Sequence, residues 1–232
     1  MLVFVDYEHA DGHDREHGPR VLAARTTITY RLEDLAGMPC HLVRYSHIDQ
    51  ALLDRLDTQA IFISGNSTDP AVYSDAELEP IRTIVRETDL PMFGLCGGFQ
   101  LIAQALGADL VRLEADPAHA TNDAVVAHDG ATYEFGYHPV DLHPDPESHA
   151  LHQGLGERPV FRHAHSLHIP HLPSGFEILA STAVTPVQMA AHTERKIAGT
   201  QFHPEYWTDE HPAGRILLAN FLRWAGLPGR HN

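Results

Sequence analysis

The chain predicts an α/β fold built on a doubly wound, mostly parallel sheet, and three observations carry that expectation. Short apolar runs at 2–7, 41–45, 60–64 and 91–95 alternate with helix-like stretches at 21–35, 49–56 and 75–88. The run at 60–64 is apolar in character, as a strand covered on both faces must be. Cys96 follows the fourth run among glycines, outside the carboxyl end of a strand, where such sheets keep their sites. A single domain over 1–232 is expected, with flanking helices and antiparallel edge strands.

Each element has its own reason. The first strand at 2–7 passes into a polar run at 8–19, read as an unusually long loop. Val21, Leu22, Ile28, Leu32 and Leu35 give the next stretch a helical period, although Thr26, Thr27 and Thr29 lower its propensity. A polar loop at 65–73 precedes the helix at 75–88. Beyond the strand at 91–95, Phe99, Ile102, Ala103 and Leu106 have helical spacing, closed by Gly107. The second half is strand-like at 111–113, 124–128, 132–142, 160–169, 177–181, 187–192 and 197–202, broken by Pro and Gly turns. Residues 143–159, rich in Pro, Asp and His, are expected to be a surface excursion, and 212–225 a last amphipathic helix. No internal repeat is visible.

Gly94-Leu95-Cys96-Gly97-Gly98 has the form of a nucleophile elbow written with cysteine. Glycines two residues either side leave room for a sharp turn, and a helix N-terminus beside the sulfur favours thiolate. On this stretch alone a buried structural cysteine fits equally well. Residues 199–207, Gly-Thr-Gln-Phe-His-Pro-Glu-Tyr-Trp, supply the missing chemistry. His203 and Glu205, two apart in an extended segment, emerge on one face, so the carboxylate can orient an imidazole whose other nitrogen meets a thiol. Pro204 stiffens the segment between them.

With these residues in hand, the sequence resembles the class I (triad) glutamine amidotransferases. The resemblance rests on Gly-x-Cys-x-Gly-x-Gln at 94–100 and Gln-Phe-His-Pro-Glu at 201–205, and runs from roughly residue 40 to the C-terminus. It implies a Cys96-His203-Glu205 triad cleaving the glutamine side-chain amide through a γ-glutamyl thioester. It also implies an oxyanion hole from the backbone N–H groups of Asn66 and Gly97. Asn66 departs from the family's glycine, but asparagine tolerates left-handed backbone. Gly65, Gln100 and the segment His165-Ser166-Leu167 match substrate-contacting positions, the last through its backbone. Phe99 stands where many relatives have His and is read as packing. The family further implies ammonia delivery to a synthetase; no phosphate-binding loop is present, so a separate synthetase subunit is expected. The polar loop at 65–69 suggests a hole that rests misaligned until that partner binds.

Composition narrows the alternatives. Sixteen basic against 31 acidic residues give a net charge of −15 with no basic stripe, which excludes a nucleic-acid surface. Cys40 and Cys96 are the only cysteines, suiting a reducing compartment. No apolar run reaches a membrane span and the N-terminus lacks a signal-peptide core, so a cytoplasmic protein without membrane contact is expected. Among the 19 histidines, His9, His13 and His17 would share a face if helical, but Asp11, Gly12 and Asp14 argue for a solvated loop. No metal and no cofactor are expected. Two other readings remain open: a stand-alone γ-glutamyl hydrolase with the same triad, and a non-catalytic regulatory protein on this fold.

Overall fold

The computed structural model describes residues 1–115, 122–143 and 149–230. Its first half runs β1 (Leu2–Asp6), α1 (Ala10–Asp14), α2 (Gly18–Ala36), β2 (Cys40–Arg44), α3 (Gln50–Arg55), β3 (Ala60–Ile63), α4 (Asp75–Glu87), β4 (Met92–Leu95) and α5 (Gly97–Ala105). The strands that follow are β5 (Val111–Arg112), β6 (Val125–His128), β7 (Ala131–Pro139), β8 (Asp141–Leu142), β9 (Val160–His165) and β10 (Leu167–His168). After these come β11 (Phe176–Ser181), β12 (Met189–His192), β13 (Ile197–Thr200) and α6 (Ala213–Trp224).

The main sheet has the order β2-β1-β3-β4-β13-β12-β11-β8. Its first five strands are parallel, and the remainder continue antiparallel to the edge. Side chains alternate across the pleat. Leu2, Phe4, Phe62 and Phe93 enter one core with Leu217, Leu218 and Phe221 of α6. Val3, Val5, Ile61 and Ile63 enter the other with Ile81, Val85, Leu101 and Ile102. Burying one such side chain contributes roughly 1.5–3 kcal/mol. The sheet is thus covered on both faces, as the run at 60–64 predicted.

Three expectations change. The polar run 8–19 is not wholly a loop: α1 forms within it, capped by the His9 imidazole, and α2 begins at Gly18. The expected strand 160–169 divides at Ser166, with β9 joining an antiparallel sheet β6-β7-β9 and β10 pairing with β5. Part of the expected excursion, 144–148, lies outside the described residues. Its continuation is not superficial, because Leu151 is fully buried and its carbonyl accepts from Asn220 Nδ2 of α6 at 2.9 Å.

Candidate active site

Between β4 and α5 the chain turns so sharply that Cys96 adopts φ 49° and ψ −106°. That is a strained conformation for a residue with a side chain, held in place by its surroundings. The Cys96 N–H donates to the Thr200 carbonyl at 2.7 Å, tying the elbow to β13. A Cβ on Gly94 would strike the backbone of Phe99, and one on Gly98 the Ile63 carbonyl, so the flanking glycines have the steric role expected of them. Phe99 is fully buried and presses on Gly199, which confirms it as packing.

His203 lies beside the elbow, because β13 runs parallel to β4 and ends level with it. Its Nδ1 sits 2.7 Å from Glu205 Oε1. The pairing does not come from an extended segment, since Pro204–Tyr206 form a turn of 3₁₀ helix. Arg31 of α2 braces that turn by donating to the Glu205 carbonyl at 2.6 Å. Burial alone would lower the His203 pKa, but the Glu205 carboxylate and the Cys96 sulfur outweigh it and raise it from 6.5 to about 10. The imidazole therefore binds a proton strongly at neutral pH. A folded-state pKa above the unfolded value means stability present below pH 6.5 and lost as pH rises toward 10. Melting curves across that window should show wild type losing stability and His203→Gln losing less; identical slopes would contradict the coupling.

The loop after β3 shows a second alignment. Gly65 O accepts from Arg25 Nη2 at 2.7 Å and from Ser64 Oγ at 2.8 Å. Asn66 lies against Gly97, its side-chain Oδ1 nearest to where a Cβ on Gly97 would stand. The Asn66 nitrogen lies 3.1 Å from where a Cβ on Gly97 would stand. Arg25 is itself fixed by Asp6, Nε to Oδ1 at 2.7 Å, with His13 Nε2 3.0 Å from the other carboxylate oxygen. The buried Glu8 accepts from Ser67 N at 2.7 Å, Thr68 N at 3.1 Å and Thr68 Oγ1 at 2.6 Å. The loop is therefore clamped from both ends, by Arg25 and Ser64 at the Gly65 carbonyl and by Glu8 at Ser67 and Thr68. Asn66 does not need a left-handed backbone, since its φ is negative; its amide instead donates to Thr68 O and Tyr73 Oη.

Gly65, Asn66, Cys96, Gln100, Ser166 and His203 all line one cleft of ≈ 810 Å³, with His165 and Leu167 in its wall. Gln100 donates to the Leu167 carbonyl at 2.9 Å and to Gln201 Oε1 at 3.0 Å. Gln201 in turn places Nε2 3.4 Å from Cys96 Sγ. The Ser166 carbonyl accepts from Leu113 N at 2.8 Å. The His165 ring is buried behind the segment, with Nε2 2.9 Å from Glu134 Oε2. Burial opposes charge on Glu134, but His165 and the Thr185 and Thr182 hydroxyls outweigh it and hold its carboxyl down to about 2. Burial pushes the neighbouring His163 down to about 3, in its neutral form.

The N-terminal histidines do not converge. His9 caps α1, His13 faces Asp6, and His17 Nε2 pairs with Ser67 Oγ at 3.2 Å. Arg25, Glu8, Gln201 and Glu134 were not singled out from sequence. Only Gln201 carried a usable signal, since it alternates with His203 and Glu205 along the motif.

Comparisons with known proteins identify the family of the chain. The family model described as glutamine amidotransferase class-I matches residues 24–224. The glutamine-hydrolysing GMP synthase of Rhizobium rhizogenes is 30% identical over 198 residues, covering 84% of this chain and 33% of that protein. Its counterpart in Bifidobacterium longum is 32% identical over 194 residues, 83% of this chain and 31% of that protein. A Thermoplasma acidophilum structure, provisionally assigned to one of the subunits of GMP synthase, superposes with TM-score 0.71 at 24% identity, over 97% of this chain and 94% of that one. A Thermotoga maritima glutamine amidotransferase superposes with TM-score 0.58 at 13% identity, over 97% and 82%. The chain thus spans about a third of the length of the curated relatives it matches. Among the described residues no helix is long and apolar enough to cross a membrane.

Proposed function

This chain belongs to the class-I glutamine amidotransferases, and from that premise we propose that it hydrolyses the side-chain amide of glutamine with Cys96, His203 and Glu205. The Cys96 sulfur attacks the carboxamide carbon as its proton passes to His203. The oxyanion forms against the N–H groups of Asn66 and Gly97, neither of which has a hydrogen-bond partner among the described residues. His203 protonates the departing ammonia, leaving a γ-glutamyl thioester, and then takes a proton from the water that releases glutamate. Glu205 holds the imidazole throughout. The ammonia is used at a synthetase site outside these 232 residues, in keeping with the GMP synthases the chain is similar to.

The observation that carries this reading is that Cys96, His203 and the Gly65–Asn66 loop line one cleft, with His203 Nδ1 paired to Glu205 at 2.7 Å. The purified chain is expected to release ammonia from glutamine. A diazoketone analogue of glutamine should label Cys96 and spare Cys40, whose thiol is pushed up to about 12 by burial and the nearby Glu33 carboxylate. Labelling at Cys40, or release of amine from substituted γ-glutamyl amides but no ammonia from glutamine, would overturn it. The latter result would move the assignment to a γ-glutamyl hydrolase.

A further inference from the structure

Behind the cleft wall, two strands bring together three side chains that the hydrolytic reading does not use. His163 and His165 lie two apart on β9, hence on one face, and Glu134 of β7 is the register partner of His165. One ligand atom from each lies within 4.8 Å of the others. All three residues are buried, at 1%, 4% and 1% exposure for His163, His165 and Glu134.

Their hydrogen bonding is incomplete in a specific way. His165 Nδ1 faces the Leu167 carbonyl at 3.2 Å, an acceptor that fixes a hydrogen on that nitrogen. Nε2 is then the nitrogen left to face Glu134 Oε2, at an ion-pair distance of 2.9 Å. Neither nitrogen of His163 has an aligned partner, although the ring lies against the backbone of His138. Glu134 is held from outside by Thr182 Oγ1 at 2.7 Å, Thr185 Oγ1 at 2.6 Å and Gln188 Nε2 at 2.7 Å. Gln188 Oε1 is a further buried acceptor without a partner. Ligating imidazoles commonly give their other N–H to a backbone carbonyl, and ligating carboxylates are commonly anchored by hydroxyls and amides.

We propose that Glu134, His163 and His165 form a binding site for a divalent transition metal, with zinc the best chemical match. Two imidazoles and one carboxylate are a zinc donor set, and one open position falls to water, for which Gln188 Oε1 is an available acceptor. A cation there would take His165 Nε2 and Glu134 Oε2, 2.9 Å apart, as adjacent ligands. Its mechanical reach extends to the cleft, because His165 continues through the Leu167 carbonyl, Gln100 and Gln201 to Cys96 Sγ. The site is separate from the hydrolytic groups, so it stands or falls independently of glutamine cleavage.

The test uses the full chain without a histidine tag, stripped by a chelator and titrated with zinc or cobalt(II). About one metal per chain should bind, cobalt should give the strong visible bands of a low-coordinate site, and saturating zinc should raise the melting temperature by about 5–10 °C. His163→Gln should fold, bind less than about a tenth of an equivalent and melt at a temperature insensitive to zinc. Undiminished stoichiometry in His163→Gln would place the metal elsewhere among the histidines and overturn the assignment. The absence of both the cobalt bands and any melting shift in wild type would also overturn it, as would nitrogen NMR showing His165 with both ring protons after zinc addition. These wild-type readings decide the matter even where the variant fails to fold.

Discussion

Cys96→Ser is expected to fold normally and to release no measurable ammonia from glutamine. Serine fits the space of the sulfur, so the elbow, its bond to Thr200 and the contact with Gln201 can persist, and the melting temperature should stay within a few degrees. What changes is the nucleophile. The imidazole beside it is held as a proton carrier by Glu205, an arrangement that suits a thiolate and offers no free base to an alcohol. A loss on the order of 10⁴-fold or more in kcat/KM follows, the scale seen when a covalent nucleophile is removed from a coupled site. Glutamine turnover surviving in the variant at more than a hundredth of the wild-type rate would assign the chemistry to another group.

The second large effect is expected far from the sulfur. Replacing Arg25 by methionine, together with Asp6 by asparagine so that no buried carboxylate is left without its ion pair, removes the guanidinium that holds the Gly65 carbonyl. The Gly65 carbonyl then keeps only the bond from Ser64 Oγ, so the Gly65–Asn66 peptide is less firmly held and the proposed oxyanion hole loses a fixed donor. Such a loss costs about 10²–10³ in kcat. KM is expected to move only a few-fold, since the role proposed for Arg25 is to hold the Gly65 carbonyl. Arg25→Lys, which can reach Asp6 or the Gly65 carbonyl but lacks the fork to grip both, should fall between. A double variant with kcat within threefold of wild type would show that Ser64 and Glu8 suffice to hold the loop.

The elbow and the His203-Glu205 pair were legible because each is written within a few consecutive residues. The parallel half of the sheet was legible because its apolar runs alternate regularly with helices. The clamp was not. Asp6, Glu8 and Arg25 are ordinary charged residues in sequence, and only the folded chain brings them against a loop some forty to sixty positions later. For the same reason α1 was missed: Asp11, Gly12 and Asp14 are poor helix formers, and the single turn persists beside the Glu8 side chain that it covers. Gly12 is needed there because a Cβ would strike Glu8 Oε1. In the second half strand-like segments were recognisable, but not their division among three sheets, since register depends on partners that the local pattern does not name.

The place of β13 beside β4 has a consequence for how the molecule is made. Gln201 and Cys96 are 105 positions apart, and the elbow's own N–H is satisfied only by Thr200. A nascent chain emerging from the ribosome can assemble β1 to β4 early, yet β4 then has one edge with no strand to pair. That exposed edge invites association between unfinished chains until β13, about a hundred residues later, is translated and inserts. Parallel pairing over such a separation is also slow to find. Cys96 therefore acquires its surroundings only once β13 has joined the sheet, and a chain without β13 carries that cysteine with neither Thr200 nor His203 beside it.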